Sequence, residues 1–192
     1  MRNDGSETKL FYQDGSISVR ALVEQDLVLL AKWLSDDKVL EFYEGRDNRF
    51  DYDKAKITFM DAKDEETKCI VEYRNQPIGY IQFYPVDAVE LFEYGFDKET
   101  TYGLDQFIGE VEYWNRGIGA SLIKSMASYL LKEKRAKRII MDPQARNEQA
   151  IRCYEKCGFK KVKLLSSHEL HEGVYQDCWL MEYVSCSEGA EK

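Results

Sequence analysis

The chain has 192 residues, 44% of them hydrophobic and 32% charged, which suits one globular domain with a substantial core. Its 35 acidic and 27 basic side chains leave a formal net charge of −8, a field that repels a nucleic-acid backbone and favours cationic ligands. No apolar run nears the roughly 20 residues that span a bilayer, and Met1–Thr8 has no hydrophobic segment after Arg2, so neither a membrane nor a nucleic-acid partner is expected and the location is read as cytoplasmic.

Residues 1–15 read as a tail, followed by alternating polar and apolar residues over Ser16–Arg20, the pattern of a half-buried strand. Over Glu24–Leu34, Leu27, Leu30, Ala31 and Leu34 share a helical face, and Glu24 and Asp26 sit in the first turn, where the helix dipole favours negative charge. Helical stretches follow at Lys38–Tyr43 and Asp53–Lys63. Lys68–Tyr73 and Ile78–Tyr84 read as strands joined by the turn Arg74-Asn75-Gln76-Pro77, and Val89–Phe96 as another strand. A further strand at Leu104–Val111 contains an isolated glycine, Gly109, which signals a bulge or a close approach to another backbone or a ligand.

Arg116-Gly117-Ile118-Gly119-Ala120 then opens a helix in which Ile118, Leu122, Met126 and Leu130 recur every four residues. Arg138–Met141 is a short buried strand stopped by Asp142-Pro143. Asn147 is a good N-cap and Gly158 a good residue for the turn that ends a helix, so Asn147–Cys157 is read as a helix. Phe159–Leu165 and Tyr175–Tyr183 are final strands flanking a polar loop, and Ser185–Lys192 is a frayed tail. This order predicts one domain over residues 1–192, of mixed α/β (α+β) class. Its sheet is antiparallel in the N-terminal half, flanked by helices, and continued through helical crossovers after Gly117.

The glycine turn stands where a strand gives way to a helix. The first N–H groups of a helix lack intrahelical partners and carry partial positive charge, so they suit a phosphate, and glycine lets the main chain approach it. The turn is neither a P-loop, because no Gly-Lys-Ser/Thr follows, nor the three-glycine dinucleotide fingerprint. Downstream, Asn147, Ala150, Tyr154, Gly158 and Phe159 keep the spacing N-x-x-A-x-x-x-Y-x-x-x-G-F.

Together the two motifs resemble the GCN5-related N-acetyltransferase superfamily. Longer strings resemble its aminoglycoside 6′-N-acetyltransferase branch: Leu40–Asp47, Tyr102–Gly109, Asp142-Pro143, Ala150–Phe159 and His168–Gly173. The resemblance implies the fold of that superfamily, acetyl-CoA as cosubstrate, no metal, and an aminoglycoside acceptor acetylated at its 6′-amine. It places acetyl-CoA against Phe107, Ile108, Gly109, the turn Arg116, Gly117, Ile118, Gly119 and Ala120, and Asn147. It also places Tyr154 beside the thioester sulfur and Asp105 and Asp142 in an acidic acceptor pocket. The family's turn usually starts with Gln or Arg three residues before its first glycine; Trp114 stands there instead.

Aminoglycosides are polyamines, so carboxylates for ammonium groups and aromatic rings for sugar faces are expected. Glu41, Phe42, Tyr43, Glu44, Tyr102, Asp105, Asp142 and Glu172 are the acceptor-side candidates. Asp105 is the candidate to take the proton from the attacking ammonium and to hold the amine. Tyr154 is the candidate acid for the departing thiolate, and N–H groups near Gly109 the candidate stabilisers of the oxyanion. Other cationic amines (a polyamine, a siderophore precursor or a protein N-terminus) and a non-catalytic CoA-binding domain remain alternatives. The five cysteines, Cys69, Cys153, Cys157, Cys178 and Cys186, read as free thiols. Cys153, Cys157, His168 and His171 lack the spacing of a zinc site.

Overall fold

Alternation of polar and apolar residues builds the first half of the molecule as an antiparallel meander. β1 (Leu10–Asp14), β2 (Ile17–Ala21), β3 (Thr67–Tyr73), β4 (Gln76–Pro85) and β5 (Thr101–Ile108) lie side by side, each antiparallel to the one before. The computed structural model describes residues 8–184. At the β3–β4 turn Arg74 and Asn75 both take positive φ, 52° and 63°, a geometry whose twist matches that of hairpin strands. β1 corrects the expectation of a tail through residue 15. It pairs with β2 from Leu10↔Arg20 to Asp14↔Ile17, and Phe11 packs edge-on to Phe83 at 5.8 Å. An edge strand exposed on most of its length carries little periodicity to read. The expected tail positions 1–7 and 185–192, with Cys186, lie outside the described residues.

Three short helices cover one face of the meander: α1 (Leu27–Trp33), α2 (Asp37–Leu40) and α3 (Tyr52–Phe59). α2 and α3 are shorter than expected and start at side-chain caps, Asp36 accepting from Lys38 N and Asp51 from Lys54 N. Leu27, Leu30, Trp33, Leu40 and Phe59 bury this face against Ile70, Tyr80 and Phe107. Arg20 ties β2 to the turn before α1 through two bonds to Asp26, of 2.7 and 2.8 Å.

The expected strand at Val89–Phe96 is a helix instead, α4 (Ala88–Tyr94). Asp87 accepts from Val89 N and Glu90 N, and Gly95 ends the helix at φ 81°. Those two end signals decide for the helix, and only Leu91 is buried, while Val89 is 68% and Phe92 82% exposed.

After β5, α5 (Ile118–Glu133) carries the chain back to β6 (Arg138–Met141), which runs parallel to β5. The four-residue repeat is buried at Ile118, Leu122, Met126 and Leu130; burial of each such side chain is worth about 1.5–3 kcal/mol. α6 (Glu148–Lys156) leads to β7 (Lys160–His171) and β8 (Val174–Val184), and β8 inserts between β6 and β7, antiparallel to both. The sheet thus has eight strands in the order β1-β2-β3-β4-β5-β6-β8-β7. The expected polar loop between the last two strands is part of a long hairpin. Glu172 and Gly173, at φ 51° and 75°, turn it, and an irregular register between Leu165 and Glu169 breaks the alternation that would have marked the strand.

Among the described residues no helix is long and apolar enough to cross a membrane. Cys69, Cys153, Cys157 and Cys178 are free.

Candidate active site

β5 and β6 pair only from Thr101↔Arg138 to Gly103↔Ile140. Beyond Gly103 the two parallel strands part, so residues 104–108 present an edge with no strand on the β6 side. A cleft of about 1030 Å³ opens there, at the carboxyl ends of both strands, the usual place for ligands beside parallel strands. Because β5 alternates, its free edge serves both faces of the sheet: Leu104 and Ile108 pack with the α5–α6 core, Phe107 with the α1–α3 core.

One wall of the cleft comes from the turn and α6. Gly117 holds φ 76° as the N-cap of the 16-residue α5, with no side-chain cap on its free N–H groups. A Cβ built at Gly119 would meet nothing within 4 Å, so the bare main chain there faces open space. Gly117, Gly119 and Ala120 line the cleft with Asn147, Ala150 and Tyr154. Asn147 is a true cap, its Oδ1 accepting from Ala150 N at 3.1 Å. Tyr154 Oη accepts from Gln106 Nε2 at 3.2 Å, and burial pushes its phenol above the usual range. Trp114, in the atypical position, donates from Nε1 to Ile108 O at 2.7 Å and so braces the free end of β5.

The facing wall is acidic. Asp105 Oδ2 accepts from Gln82 Nε2 at 2.9 Å, and the nearby Tyr84 phenol also favours the charged carboxylate. Burial, with the charge of Asp142 second, overrides both influences and pushes the Asp105 carboxyl up to about 7. Gly103 makes the room for Tyr84: a Cβ there would lie 2.3 Å from the phenol ring. Asp142 sits at the end of β6, with His168 Nε2 3.1 Å from its Oδ2. Glu44, at φ 67°, accepts from Asn48 Nδ2 at 2.7 Å, and burial raises its carboxyl. Tyr43 packs at a tilt against Phe107 with ring centroids 4.6 Å apart; burial and nearby acids raise its phenol well above its ordinary value.

The structure therefore brings Phe42, Tyr43, Glu44, Asp105, Phe107, Ile108, Gly117, Gly119, Ala120, Asp142, Asn147 and Tyr154 around one cleft. The side chains of the other candidates are not part of its lining. Glu172 is engaged by Arg46 through its N, Nε and Nη2 at 3.0, 2.5 and 2.7 Å, which hold its carboxyl down to about 2. Ile118 is a core residue, Tyr102 packs beside the same core, and the Arg116 guanidinium rests 5.5 Å from the Tyr113 ring. The Glu41 carbonyl accepts from Arg146 Nη2 at 2.6 Å.

At Gly109 the chain has the form of the expected bulge, two successive residues answering one across β4–β5, and the close approach is to neither a backbone nor a ligand. A Cβ there would come within 2.2 Å of the Trp33 indole, so the close approach is to a side chain. Its N–H and that of Glu110 both donate to Ile78 O, at 2.8 and 3.0 Å. Those two N–H groups are therefore spent, which removes them as oxyanion donors.

Several lining or supporting residues escaped sequence reasoning. Glu169 lines the cleft and accepts from Gln144 Nε2 at 3.0 Å; the reading of a polar loop hid it. Gln82 and Tyr84 matter only because they face Asp105 across β4–β5. Arg146 straps Phe42 to the loop before α6, its guanidinium 4.8 Å from the ring and its Nε on Gln144 Oε1 at 2.9 Å. Among the described residues no group of three or more His, Cys, Asp or Glu is placed to hold a metal ion.

An anion-suited helix start and a cationophilic wall, meeting at the open edge of a parting sheet, define a transferase cleft of the acetyltransferase kind. The acetyltransferase (GNAT) domain model matches residues 22–166, most of the chain, and the chain belongs to that family. It is similar to aminoglycoside N(6′)-acetyltransferase type 1 of Klebsiella pneumoniae, 29% identical over 152 residues that cover 76% of this chain and 75% of the relative. Spermine/spermidine N(1)-acetyltransferase of Bacillus subtilis is 26% identical over 139 residues, covering 67% and 86%. Among solved structures, AAC(6′)-Ib in complex with ribostamycin and coenzyme A superposes with a TM-score of 0.74 at 24% identity, covering 88% of this chain and 94% of that one. At that identity the likeness establishes the fold.

Proposed function

We propose that the chain, as a single acetyltransferase domain in the cytoplasm, transfers the acetyl group of acetyl-CoA to the 6′-amine of an aminoglycoside and so confers resistance to it. The observation that carries this reading is the junction itself: a wall of main-chain donors and a wall of half-buried carboxylates on either side of one strand edge.

The bare N–H groups of Ile118, Gly119 and Ala120 suit the pyrophosphate, and the open space at Gly119 fits such a ligand. Asn147 uses Oδ1 as a cap, which leaves its Nδ2 for the pantetheine arm. Bound there, acetyl-CoA supplies an activated acetyl thioester. Asp105, with its carboxyl near 7, is matched to accept a proton from an ammonium at neutral pH, because a general base works best with a pKa close to the operating pH. Burial thus turns an ordinarily weak carboxylate base into a competent one. By strand alternation the Ile108 N–H points away from β4 and into the gap, where it replaces the Gly109 N–H as donor to the developing oxyanion. Tyr154, protonated at neutral pH and oriented by Gln106, donates to the leaving thiolate.

Asp142, Glu44 and Glu169 supply charge for the other ammonium groups of the acceptor, and Tyr43 and Phe42 supply ring faces. The relatives include polyamine acetyltransferases as well as aminoglycoside ones, so the test must separate the two. Thiol release is measured with kanamycin, with an analogue bearing a 6′-hydroxyl, and with spermine. Rapid release with kanamycin alone is expected. Faster turnover of spermine would move the acceptor to the polyamines, and acetyl-CoA binding without release for any amine would leave a non-catalytic domain.

A further inference from the structure

Asp142 closes β6 at the acceptor end of the cleft, and a histidine already occupies it: His168 Nε2 stands 3.1 Å from Asp142 Oδ2. Both side chains are at the rim, 34% and 39% exposed, so a bound molecule can reach either. An irregularity in β7 delivers the histidine. The register with β8 shifts between Leu165 and Glu169, Ser167 takes φ 50°, and its N–H is held by Asp177 Oδ1 at 2.8 Å. A break of this kind re-aims the neighbouring side chain.

The charged groups that act most strongly on His168 are acids. Asp142 comes from the end of β6, Glu169 from β7 itself and Glu90 from α4; Asp177 of β8 is taken up by the Ser167 N–H. An imidazole so placed favours its protonated form, and the bond to Asp142 raises its pKa above the ordinary value.

We propose that the His168 imidazolium is an internal stand-in for a second ammonium of the acceptor, neutralising Asp142 until a polycationic acceptor displaces it or takes its proton's place. This rests on the cationic-acceptor reading above. His168 is then a positioning residue that sets specificity: binding of an acceptor that reaches Asp142 releases a proton, and binding of a single amine held only at Asp105 does not. The physical basis is that a carboxylate at the rim gains less from a second cation once it is already paired, so the two cations compete for one site.

The test compares acceptor KM for kanamycin and for a single-amine acceptor across pH in the wild type, His168→Gln and His168→Lys. Relative to wild type, His168→Gln is expected to lower the kanamycin KM roughly tenfold at about pH 6 and to match it at about pH 9, where the imidazole is neutral. His168→Lys should keep the kanamycin KM raised at both, while the KM for acetyl-CoA and for the single amine stays put in all three. A wild-type to His168→Gln ratio that does not change with pH would reduce His168 to a structural role and overturn the inference. In parallel, the imidazole titration of His168 is followed by NMR with and without kanamycin. It should lie above the free-histidine value, fall on adding kanamycin, and fall in Asp142→Asn. If no amine is acetylated, the functional reading fails by itself, and this titration still decides the stand-in: an imidazole unmoved by both kanamycin and Asp142→Asn refutes it.

Discussion

The two walls of the cleft are made in different ways. The donor wall is local: the α5 N-terminus and α6 each organise their own residues, Asn147 capping Ala150 three residues on and Gly117 ending the turn with a φ that glycine adopts freely. The acceptor wall is collected from four distant segments, and three of its acids lean on partners from other segments, Asp105 on Gln82, Asp142 on His168 and Glu169 on Gln144, while Glu44 is held by Asn48 four residues on. A wall of main-chain donors tolerates a change such as Trp114, because the N–H groups survive it. A wall of half-buried carboxylates does not have its chemistry in the residue types alone. Asp105 is a base near 7 only because burial and Asp142 raise it.

The comparison is broken most severely at Asp105. Asp105→Asn should lower kcat/KM by about 10²–10⁴ while acetyl-CoA binding, measured by calorimetry, stays unchanged, since the donor wall is untouched. Near-wild-type activity would remove the base from the acceptor wall. Stability should move the opposite way. The folded-state pKa of Asp105 lies above its unfolded value, so its ionisation opposes folding as pH rises from the ordinary carboxylate range through about 7. Asp105→Asn should therefore raise Tm at neutral and alkaline pH and leave it unchanged in acid.

The same shift sets the pH profile. With acetyl-CoA and acceptor limiting, kcat/KM should fall about tenfold per unit below an inflection near pH 7. A profile flat down to the ordinary carboxylate range would mean that Asp105 positions the amine without taking its proton.

Two glycines sharpen the contrast from the donor side. Gly119→Val adds atoms to open space, so it should raise the acetyl-CoA KM by about tenfold with little loss of Tm. Gly109→Ala drives a Cβ into the Trp33 ring, and overpacking of this kind costs about 1–3 kcal/mol, visible as a lower Tm. If Gly119→Val binds acetyl-CoA normally, the turn is a tight connection and no more. The smallest effect is expected at Tyr154→Phe, a several-fold loss in kcat with both KM values held, because the ring and its packing on Phe159 remain. Unchanged turnover would free the leaving thiolate from any need of that phenol.

What the amino-acid order determined by itself is what short range decides. The β3–β4 hairpin, the buried stripe of α5, the capped α6 and the glycine turn between β5 and α5 follow from periodicity, caps and permissive glycines within a few residues, so they are legible in a single sequence. The stretch Val89–Phe96 shows the limit: its apolar residues suit a strand, while Asp87 and Gly95 mark both ends of helix α4. Tertiary structure alone decided the rest. Glu172 is withdrawn from the acceptor wall by Arg46, 126 residues away. Glu169 enters it, and His168 reaches Asp142 at its rim, through an irregular register in β7, and Gly109 answers to Trp33. A side chain's charge state and partners depend on what distant segments bring within a few ångströms of it, and no local pattern encodes that distance.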